Sequence, residues 1–270
     1  MYATPFPALS AASLLSQRSR LSKFKEALAR VVSSDSLVVD IGSGSGVLAL
    51  IAAQLGARRV IGVEVDEGTV NYARRAACLN GLDDRVEFIG SHFADYNPDE
   101  RADVVVCEML SSMMLVEQQV EACHHAVMHV LKDGGTLLPQ DAVVYVVPVQ
   151  CESAWERFEV GDIRFPRVPQ TVSPGEARDL ADLHILTRFE FLSNSTPREV
   201  SATLEFSTTD TGTIHGLCGM FEASLDAQTK LDMRDGWRDL FVPFDSPLEV
   251  GTGEAVRVDV AYTPGRPDTL

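Results

Sequence analysis

Two glutamates, Glu108 and Glu117, are spaced so that they could hold a cationic group. Glu108 ends the apolar run 102–107, which has the character of a buried strand, and Glu117 lies early in a segment with helical character. If the chain leaves the strand through a short hairpin, the two carboxylates meet face to face. Converging carboxylates can grip a guanidinium, which is planar, cationic and suited to bidentate pairing. The spacing alone also fits a strand-end acid followed by an ordinary helix-surface glutamate.

A glycine-rich loop precedes this pair in the chain. Asp40 ends the apolar segment 37–40, and glycines follow at alternate positions: Gly42, Gly44 and Gly46. Glycines allow the backbone to turn tightly close to a ligand. Glu64 ends the next predicted strand about 20 residues later, where nucleotide-binding folds place an acid on ribose hydroxyls. The dinucleotide fingerprint has its last glycine one residue further on. The loop therefore resembles the first motif of class I S-adenosylmethionine (SAM) methyltransferases, with a dinucleotide site and a plain glycine turn as alternatives.

The elements that position these residues alternate between strand and helix. A helical pattern covers about 10–32. Predicted strands then follow at 37–40, 59–64, 86–89 and 103–107, with helices at 47–55, 67–79 and about 113–131. Apolar strands alternating with helices indicate a parallel sheet that is covered on both faces.

Beyond residue 138 the pattern changes to strands separated by turns. These strands are predicted at 143–148, 183–191, 200–206, 216–225, 237–242 and 255–261, as in an antiparallel sandwich or barrel. We therefore predict an N-terminal helical segment at 1–35, a Rossmann-like domain at 36–138 and a β-barrel domain at 139–270.

Composition narrows the class of protein. A net charge of −16 argues against a binder of duplex nucleic acid, and it suits a cationic acceptor or simply solubility. No apolar run approaches the ~20 residues of a membrane helix, and the N-terminus lacks signal-peptide character, so we expect a cytoplasmic protein without a membrane partner. Five dispersed cysteines predict neither a disulfide framework nor a zinc site. His125 and His129 share a helix face, but no acid joins them, and we expect no bound metal.

In motif order, nearly the whole chain resembles the protein arginine methyltransferase family. That family has a "double-E" hairpin after its fourth strand, whose glutamates hold the target guanidinium and aim one nitrogen at the methyl sulfonium. The resemblance implies this catalytic role for Glu108 and Glu117. It also implies that SAM is bound by Asp40, by the glycine loop that follows it, and by Glu64, which binds the ribose.

Further site residues are implied by the same resemblance. Arg18 lies where the family places an arginine on the methionine carboxylate of SAM. Phe93 and Asp95 follow the third strand, where an acid usually accepts the adenine amino group, although the register puts Ala94 close to that position. Trp237 falls where the family has Thr-His-Trp. We expect Trp237 beside the acceptor, and Met113 either beside the acceptor or in the core.

The chain also departs from the family. The hairpin reads Glu-Met-Leu-Ser-Ser instead of Glu-Trp-Met-Gly-Tyr, and Gly236 replaces the family's histidine. Residues 1–9 lack the acid that pairs with that histidine in the family. Residues 151–182 are short for the family's dimerisation arm, so the formation of a homodimer is left open. The predicted reaction is methyl transfer to a guanidino nitrogen of arginine, either free or in a peptide or protein. A different small-molecule nitrogen or oxygen acceptor and a non-catalytic binding protein remain alternatives.

Overall fold

The computed structural model describes residues 11–193 and 196–270, and its first half is built on a five-stranded parallel sheet. The strand order is β3-β2-β1-β4-β5, so the order reverses between β1 and β4, where α/β sheets bind ligands at the carboxyl ends of their strands. The strands are β1 (Leu37–Ile41), β2 (Arg59–Glu64), β3 (Val86–Gly90), β4 (Ala102–Cys107) and β5 (Leu131–Leu138).

Helices cover this sheet and bury their apolar faces against it. The first helix buries Phe24, Ala27 and Leu28, which lie three and four residues apart and therefore share one face. The third begins at the N-cap Asp66, whose carboxylate accepts the N–H of Thr69 at 2.7 Å. The helices are α1 (Arg18–Val31), α2 (Val47–Gln54), α3 (Glu67–Leu79), α4 (Gln119–His125, extended by a π turn at Ala126–Val130) and α5 (Glu152–Trp155).

The second half is antiparallel. Its main sheet has the order β10-β6-β13-β15-β9, with β11 also on β6 and β14 on β13; β12 pairs with β16, and β7 with β8. The strands are β6 (Asp141–Gln150), β7 (Glu159–Val160), β8 (Ile163–Arg164), β9 (Gln170–Thr171), β10 (Arg178–Asp179), β11 (His184–Glu190), β12 (Val200–Ser207), β13 (Gly212–Ser224), β14 (Lys230–Asp232), β15 (Leu240–Val250) and β16 (Ala255–Tyr262). The predicted fold class, a Rossmann-like sheet followed by an antiparallel sheet, is confirmed.

One hydrophobic core joins the two halves. It runs from Phe24 on α1 through the parallel sheet to Phe221 on β13, and it includes Met113 from the segment that follows β4. The segment that follows β4 therefore contacts both halves of the chain and can be held from both sides. Within the described residues, no helix is long and apolar enough to span a membrane.

The predicted and observed elements differ in several places. The predicted helix at 113–131 is shorter, because Met113 and Met114 have φ values of 60° and 53° and the α-helix begins only at Gln119. The strand β5 was missed; Gly134 has a φ of 75°, and the pairing with β4 shifts register between Ala102 and Val104. The predicted N-terminal helix is interrupted: residues 11–13 are helical and Leu14–Ser16 form a 3-10 turn before α1 begins at Arg18. The strand predicted at 237–242 begins at Leu240.

Candidate active site

The segment from Glu108 to Glu117 is a compact hairpin at the carboxyl end of β4. Met113 and Met114 adopt left-handed backbone angles, which residues other than glycine rarely adopt. The second half of the chain holds this conformation in place. The Tyr262 hydroxyl donates to the Met113 carbonyl at 2.7 Å, and the Gly265 N–H donates to the Met114 carbonyl at 2.9 Å.

Further hydrogen bonds fix the same hairpin. The Trp237 indole N–H donates to the Leu110 carbonyl at 2.9 Å, and the Ser112 hydroxyl donates to the Arg238 carbonyl at 2.6 Å. Gln119 was not identified from the sequence, yet it is fully buried: its side chain accepts the Met109 N–H at 2.7 Å and donates to the Cys107 carbonyl at 2.9 Å. The two glutamates are therefore carried on a rigid support.

The hairpin brings Glu108 and Glu117 into one pocket of about 410 Å³. This is the convergence that their spacing suggested. The pocket lies between the hairpin, α1 and the loop before β15, and its lining comprises Arg20, Glu108, Leu110, Ser111, Ser112, Val116, Glu117, Thr171, Gly236, Trp237, Arg238 and Leu240.

Both carboxyl groups are harder to ionise than an ordinary glutamate. Burial raises the pKa of Glu108 to about 8, with the charge of Glu117 adding to the effect and that of Arg20 opposing it. Desolvation also raises the pKa of Glu117 to about 7, although this residue is exposed at the pocket mouth. Water screens the charge of Glu117 at the pocket mouth. A cation that binds between the two carboxyl groups therefore favours their ionised forms.

Arg20 occupies the centre of the site, whereas Arg18 does not line the pocket. The Arg20 guanidinium lies 3.4 Å from Glu108 Oε2 and 3.4 Å from the centre of the Trp237 ring. Arg18 is the first residue of α1 and is exposed, so its cofactor role stays a prediction. The sequence did not indicate Arg20, which lies two residues further along the same basic segment.

The loop before Trp237 is clamped to α1 through a buried acid that the sequence did not indicate either. Asp235 is only 2% exposed, and it accepts hydrogen bonds from Ser19 Oγ at 2.5 Å and Lys23 Nζ at 2.6 Å. Its backbone carbonyl accepts Arg20 Nε–H at 3.2 Å. Burial opposes ionisation of Asp235, but the hydrogen bonds outweigh it and lower the pKa.

A side chain at Gly236 would strain the backbone and would displace the side chain of Gln17. Its φ is 111°, a left-handed value that favours glycine, and an added Cβ would lie 2.1 Å from Gln17 Oε1 and 3.2 Å from Arg20 Nη2. The space beside Gly236 is thus filled by the side chains of Gln17 and Arg20. An ion pair of 2.6 Å between Lys23 and Asp235 links this loop to α1.

The glycine loop lies beside the hairpin. Its three glycines all have positive φ values, and a Cβ added to Gly42 would lie 2.9 Å from the sulfur of Met109, the residue after Glu108. Glu64 supports the loop by accepting the Gly44 N–H at 3.1 Å, and its negative charge also acts on Glu117. The loop and the pocket are therefore neighbours.

Asp40 lies beneath the loop, not at its surface. It is 2% exposed and accepts the Ala49 N–H at 3.1 Å, and burial raises its pKa to about 7. This placement suits support of the loop and of α2 better than direct contact with a ligand.

The remaining predicted site residues divide between surface and core. Phe93 and Asp95 lie on a short 3-10 helix after β3, where Asp95 is exposed and Phe93 is partly buried against the edge of His125. Met113 is fully buried, and its side chain fills the space above Gly219. The structure therefore corrects the expectation of Met113 as a wall of the acceptor site and assigns it to the core.

Comparison with known proteins agrees with this geometry. The family model "Ribosomal protein L11 methyltransferase (PrmA)" matches residues 25–138. A probable protein arginine N-methyltransferase 6 of Arabidopsis thaliana is 33% identical over 138 residues, which is 50% of this chain and 32% of that protein. The chain thus spans about a third of the length of this curated relative. An arginine N(omega)-methyltransferase of Streptomyces achromogenes is 25% identical over 272 residues, 93% of this chain and 75% of that protein.

The fold of the chain is also similar to that of a solved arginine methyltransferase structure. The structure of the Trypanosoma brucei PRMT1 enzyme-prozyme heterotetrameric complex with AdoHcy superimposes with a TM-score of 0.77 at 22% identity, covering 90% of this chain and 84% of that one. By sequence and by fold, the chain is similar to the protein arginine N-methyltransferases, and the resemblance that its motifs indicated is confirmed.

Proposed function

We propose that this chain is a SAM-dependent methyltransferase that acts on a guanidino nitrogen of arginine. The observation that carries the proposal is the convergence of Glu108 and Glu117 in one pocket directly beside the glycine loop. Two carboxylates suit a guanidinium, and the loop suits a nucleoside. The similarity to arginine methyltransferases supports both assignments.

The glycine loop fits SAM. Its positive φ values let the backbone approach a ligand closely, and the hydroxyls of Ser43 and Ser45 are buried without a hydrogen-bond partner among the described residues. Glu64 accepts two backbone N–H groups, from Gly44 and Asp66, and its remaining lone pairs can accept ribose hydroxyls. We propose these residues, with Phe93 and Asp95 at the adenine end and Arg18 at the amino-acid end, as the cofactor site.

SAM supplies an electrophilic methyl group on a sulfonium; its transfer to a guanidino nitrogen breaks the carbon–sulfur bond, leaves the electron pair on sulfur as S-adenosylhomocysteine, and releases one proton. Glu108 and Glu117 hold the acceptor guanidinium so that one nitrogen faces the glycine loop, which is a positioning role. Their negative charge localises the positive charge on the other nitrogens and increases the nucleophilicity of the reacting one.

Arg20 and the acceptor cation both influence the ionisation of the two glutamates. Arg20 fixes one oxygen of Glu108 and favours its ionised form, while Trp237 supports the guanidinium of Arg20 from its ring face. When the acceptor cation enters, its charge lowers the pKa of both glutamates. After transfer, Glu117 at the exposed mouth is the group placed to pass the product proton to solvent.

We also propose separate functions for the three segments of the chain. Residues 36–138 bind the cofactor, 139–270 hold the hairpin and wall the acceptor pocket, and the part of 1–35 that the structure describes closes the pocket through α1. Residues 1–10 lie outside the described residues. A cytoplasmic location and a homodimer remain proposals from the sequence.

The test is transfer of labelled methyl from SAM to a set of acceptors, read by mass spectrometry. The set contains L-arginine, an arginine peptide, and amines and hydroxyl compounds that lack a guanidine. We expect methyl incorporation on guanidino nitrogen only. Transfer only to acceptors without a guanidine would contradict the acceptor assignment, and failure to bind SAM or S-adenosylhomocysteine by calorimetry would contradict the enzyme assignment.

A further inference from the structure

The pocket contains a second guanidinium that the proposed chemistry does not use. Arg238 lines the same pocket as Glu108 and Glu117, and it is exposed. Among the described residues, none forms a hydrogen bond or an ion pair with the Arg238 guanidinium. Arg20, by contrast, already contacts Glu108 and Trp237.

Arg238 is also held at a fixed position relative to the glutamates. Its carbonyl accepts the Ser112 hydroxyl at 2.6 Å, and Ser112 belongs to the hairpin that carries both acids. The preceding Trp237 is anchored to Leu110 of that hairpin at 2.9 Å. On the other side of Arg238, β15 begins at Leu240, which pairs with Thr171. The side chain therefore projects from an anchored backbone, as a ligand-binding group requires.

The charge of Arg238 conflicts with a purely cationic acceptor. A cation at the mouth of a pocket repels a second cation, so it weakens binding of any guanidine that brings no negative group. In a chain of net charge −16, an unpaired arginine that lines an acceptor site for arginine is suited to bind an anionic group of the acceptor. A carboxylate is the partner that a guanidinium pairs with in bidentate geometry.

We propose that the acceptor is arginine with a free carboxylate, meaning the amino acid itself, and that Arg238 binds this carboxylate. The inference rests on the proposed function and deepens it. Glu108 and Glu117 take the guanidinium end, and Arg238 takes the opposite end of the same molecule. A pocket of about 410 Å³ lies within the usual range for small-molecule sites. The match over 93% of this chain to an enzyme named for arginine, not for protein arginine, supports the same acceptor.

The experiment compares three acceptors in three variants. L-Arginine has the carboxylate, agmatine is the same molecule without it, and an arginine within a peptide has it bound in an amide. The variants are Arg238→Ala, Arg238→Lys and the control Arg234→Ala, which removes an arginine four positions earlier that is 90% exposed, pairs with Asp232 and does not line the pocket. Steady-state KM and kcat are measured for each, with S-adenosylhomocysteine binding as a check on folding.

We expect Arg238→Ala to raise KM for L-arginine about 10- to 100-fold, the usual loss for a charge-assisted pair. The same change should leave KM for agmatine within about threefold or lower it. Agmatine has no carboxylate for Arg238 to bind, and the repulsion between the two cations is removed with the Arg238 charge. Arg238→Lys should restore part of the affinity, and Arg234→Ala should resemble the unmodified enzyme.

Equal losses for L-arginine and agmatine in Arg238→Ala, or no loss for either, would overturn the carboxylate assignment. Methylation of the peptide but not of L-arginine by the unmodified enzyme would overturn the inference and leave the proposed function standing. Absence of methyl transfer to all three guanidines, with S-adenosylhomocysteine still bound, would instead reject the proposed function and the inference together.

Discussion

Replacing Asp235 by alanine tests whether the clamp between α1 and the loop before Trp237 positions the active site. Asp235 is 2% exposed and accepts three hydrogen bonds, from Ser19, Lys23 and the Asp232 N–H. The replacement leaves these donors without their partner and frees the loop whose carbonyl holds Arg20. We therefore expect both the stability and the activity to fall.

The size of the stability loss follows from the bonds. Two neutral donors contribute about 1 kcal/mol each, and the charged Lys23 contributes about 1.5 kcal/mol or more. The side chain of Lys23 is 30% exposed and can regain water, so we use the lower end for it. The total is about 3.5 kcal/mol, which corresponds to a fall in Tm of roughly 7–14 °C for a chain of this size.

Asp226 provides a matched control. It also ties α1 to the second half of the chain, through Arg30 at 2.6 and 2.8 Å, and it accepts the N–H groups of Gln228 and Thr229 at 2.8 Å each. It does not line the pocket. We expect Asp226→Ala to lower Tm but to leave kcat/KM nearly unchanged, whereas Asp235→Ala lowers kcat/KM for arginine about tenfold or more because Arg20 loses its position.

Thermal unfolding and steady-state kinetics at a temperature where both variants are folded measure the two effects separately. An intermediate result is expected for Asp235→Asn, which keeps the shape but loses the charge. An Asp235→Ala variant as stable as the unmodified chain would contradict the role of these hydrogen bonds. Equal losses of activity in both alanine variants would contradict the positioning role, since activity would then follow stability alone.

Four further results are expected. Gly236→Ala should cost about 1–3 kcal/mol in unfolding free energy because φ is 111°, and a denaturant titration that shows no loss would refute the strain. Because the pKa values of Glu108 and Glu117 are raised in the free protein, KM for a cationic acceptor should fall as pH rises from about 6 to 8; a flat profile would contradict the need for ionised acids. The raised pKa of Glu108 also makes the stability depend on pH. The contribution of protonated Glu108 is complete below its ordinary pKa of 4.5 and is lost as pH rises through about 8. Glu108→Gln should therefore flatten that part of the pH–stability curve. Tyr262→Phe should cost about 1–2 kcal/mol, because the buried Met113 carbonyl loses its donor, and unchanged thermal stability would count against this anchor.

The sequence predicted the parts of the site that chain connectivity controls. A strand, a glycine loop and an acid at the end of the next strand must meet at one sheet edge, which is why Glu64 lies beside the loop. The glutamates follow β4, the neighbour of β1 in the same sheet, and therefore reach that edge as well.

Contacts between segments that are distant in the chain could not be predicted from the sequence. Two residues along a helix turn the side chain by about 200°, so choosing Arg18 or Arg20 requires knowing which face of α1 meets the hairpin. The roles of Asp235 and Gln119 depend on partners elsewhere in the fold, and neither has a local signature. The strand β5 was not predicted because its central glycines favour a turn. In the structure, the shift in its pairing with β4 accommodates these glycines.

The central claim is that Glu108 and Glu117 hold an acceptor guanidinium beside bound SAM. Its most direct test is Glu108→Gln, which keeps the size of the side chain and removes its charge, with SAM affinity measured by calorimetry and methyl transfer to L-arginine measured in parallel. We expect SAM to bind with nearly unchanged affinity while kcat falls about 100-fold or more. Full turnover in this variant would contradict the assignment of Glu108 and with it the proposed mechanism.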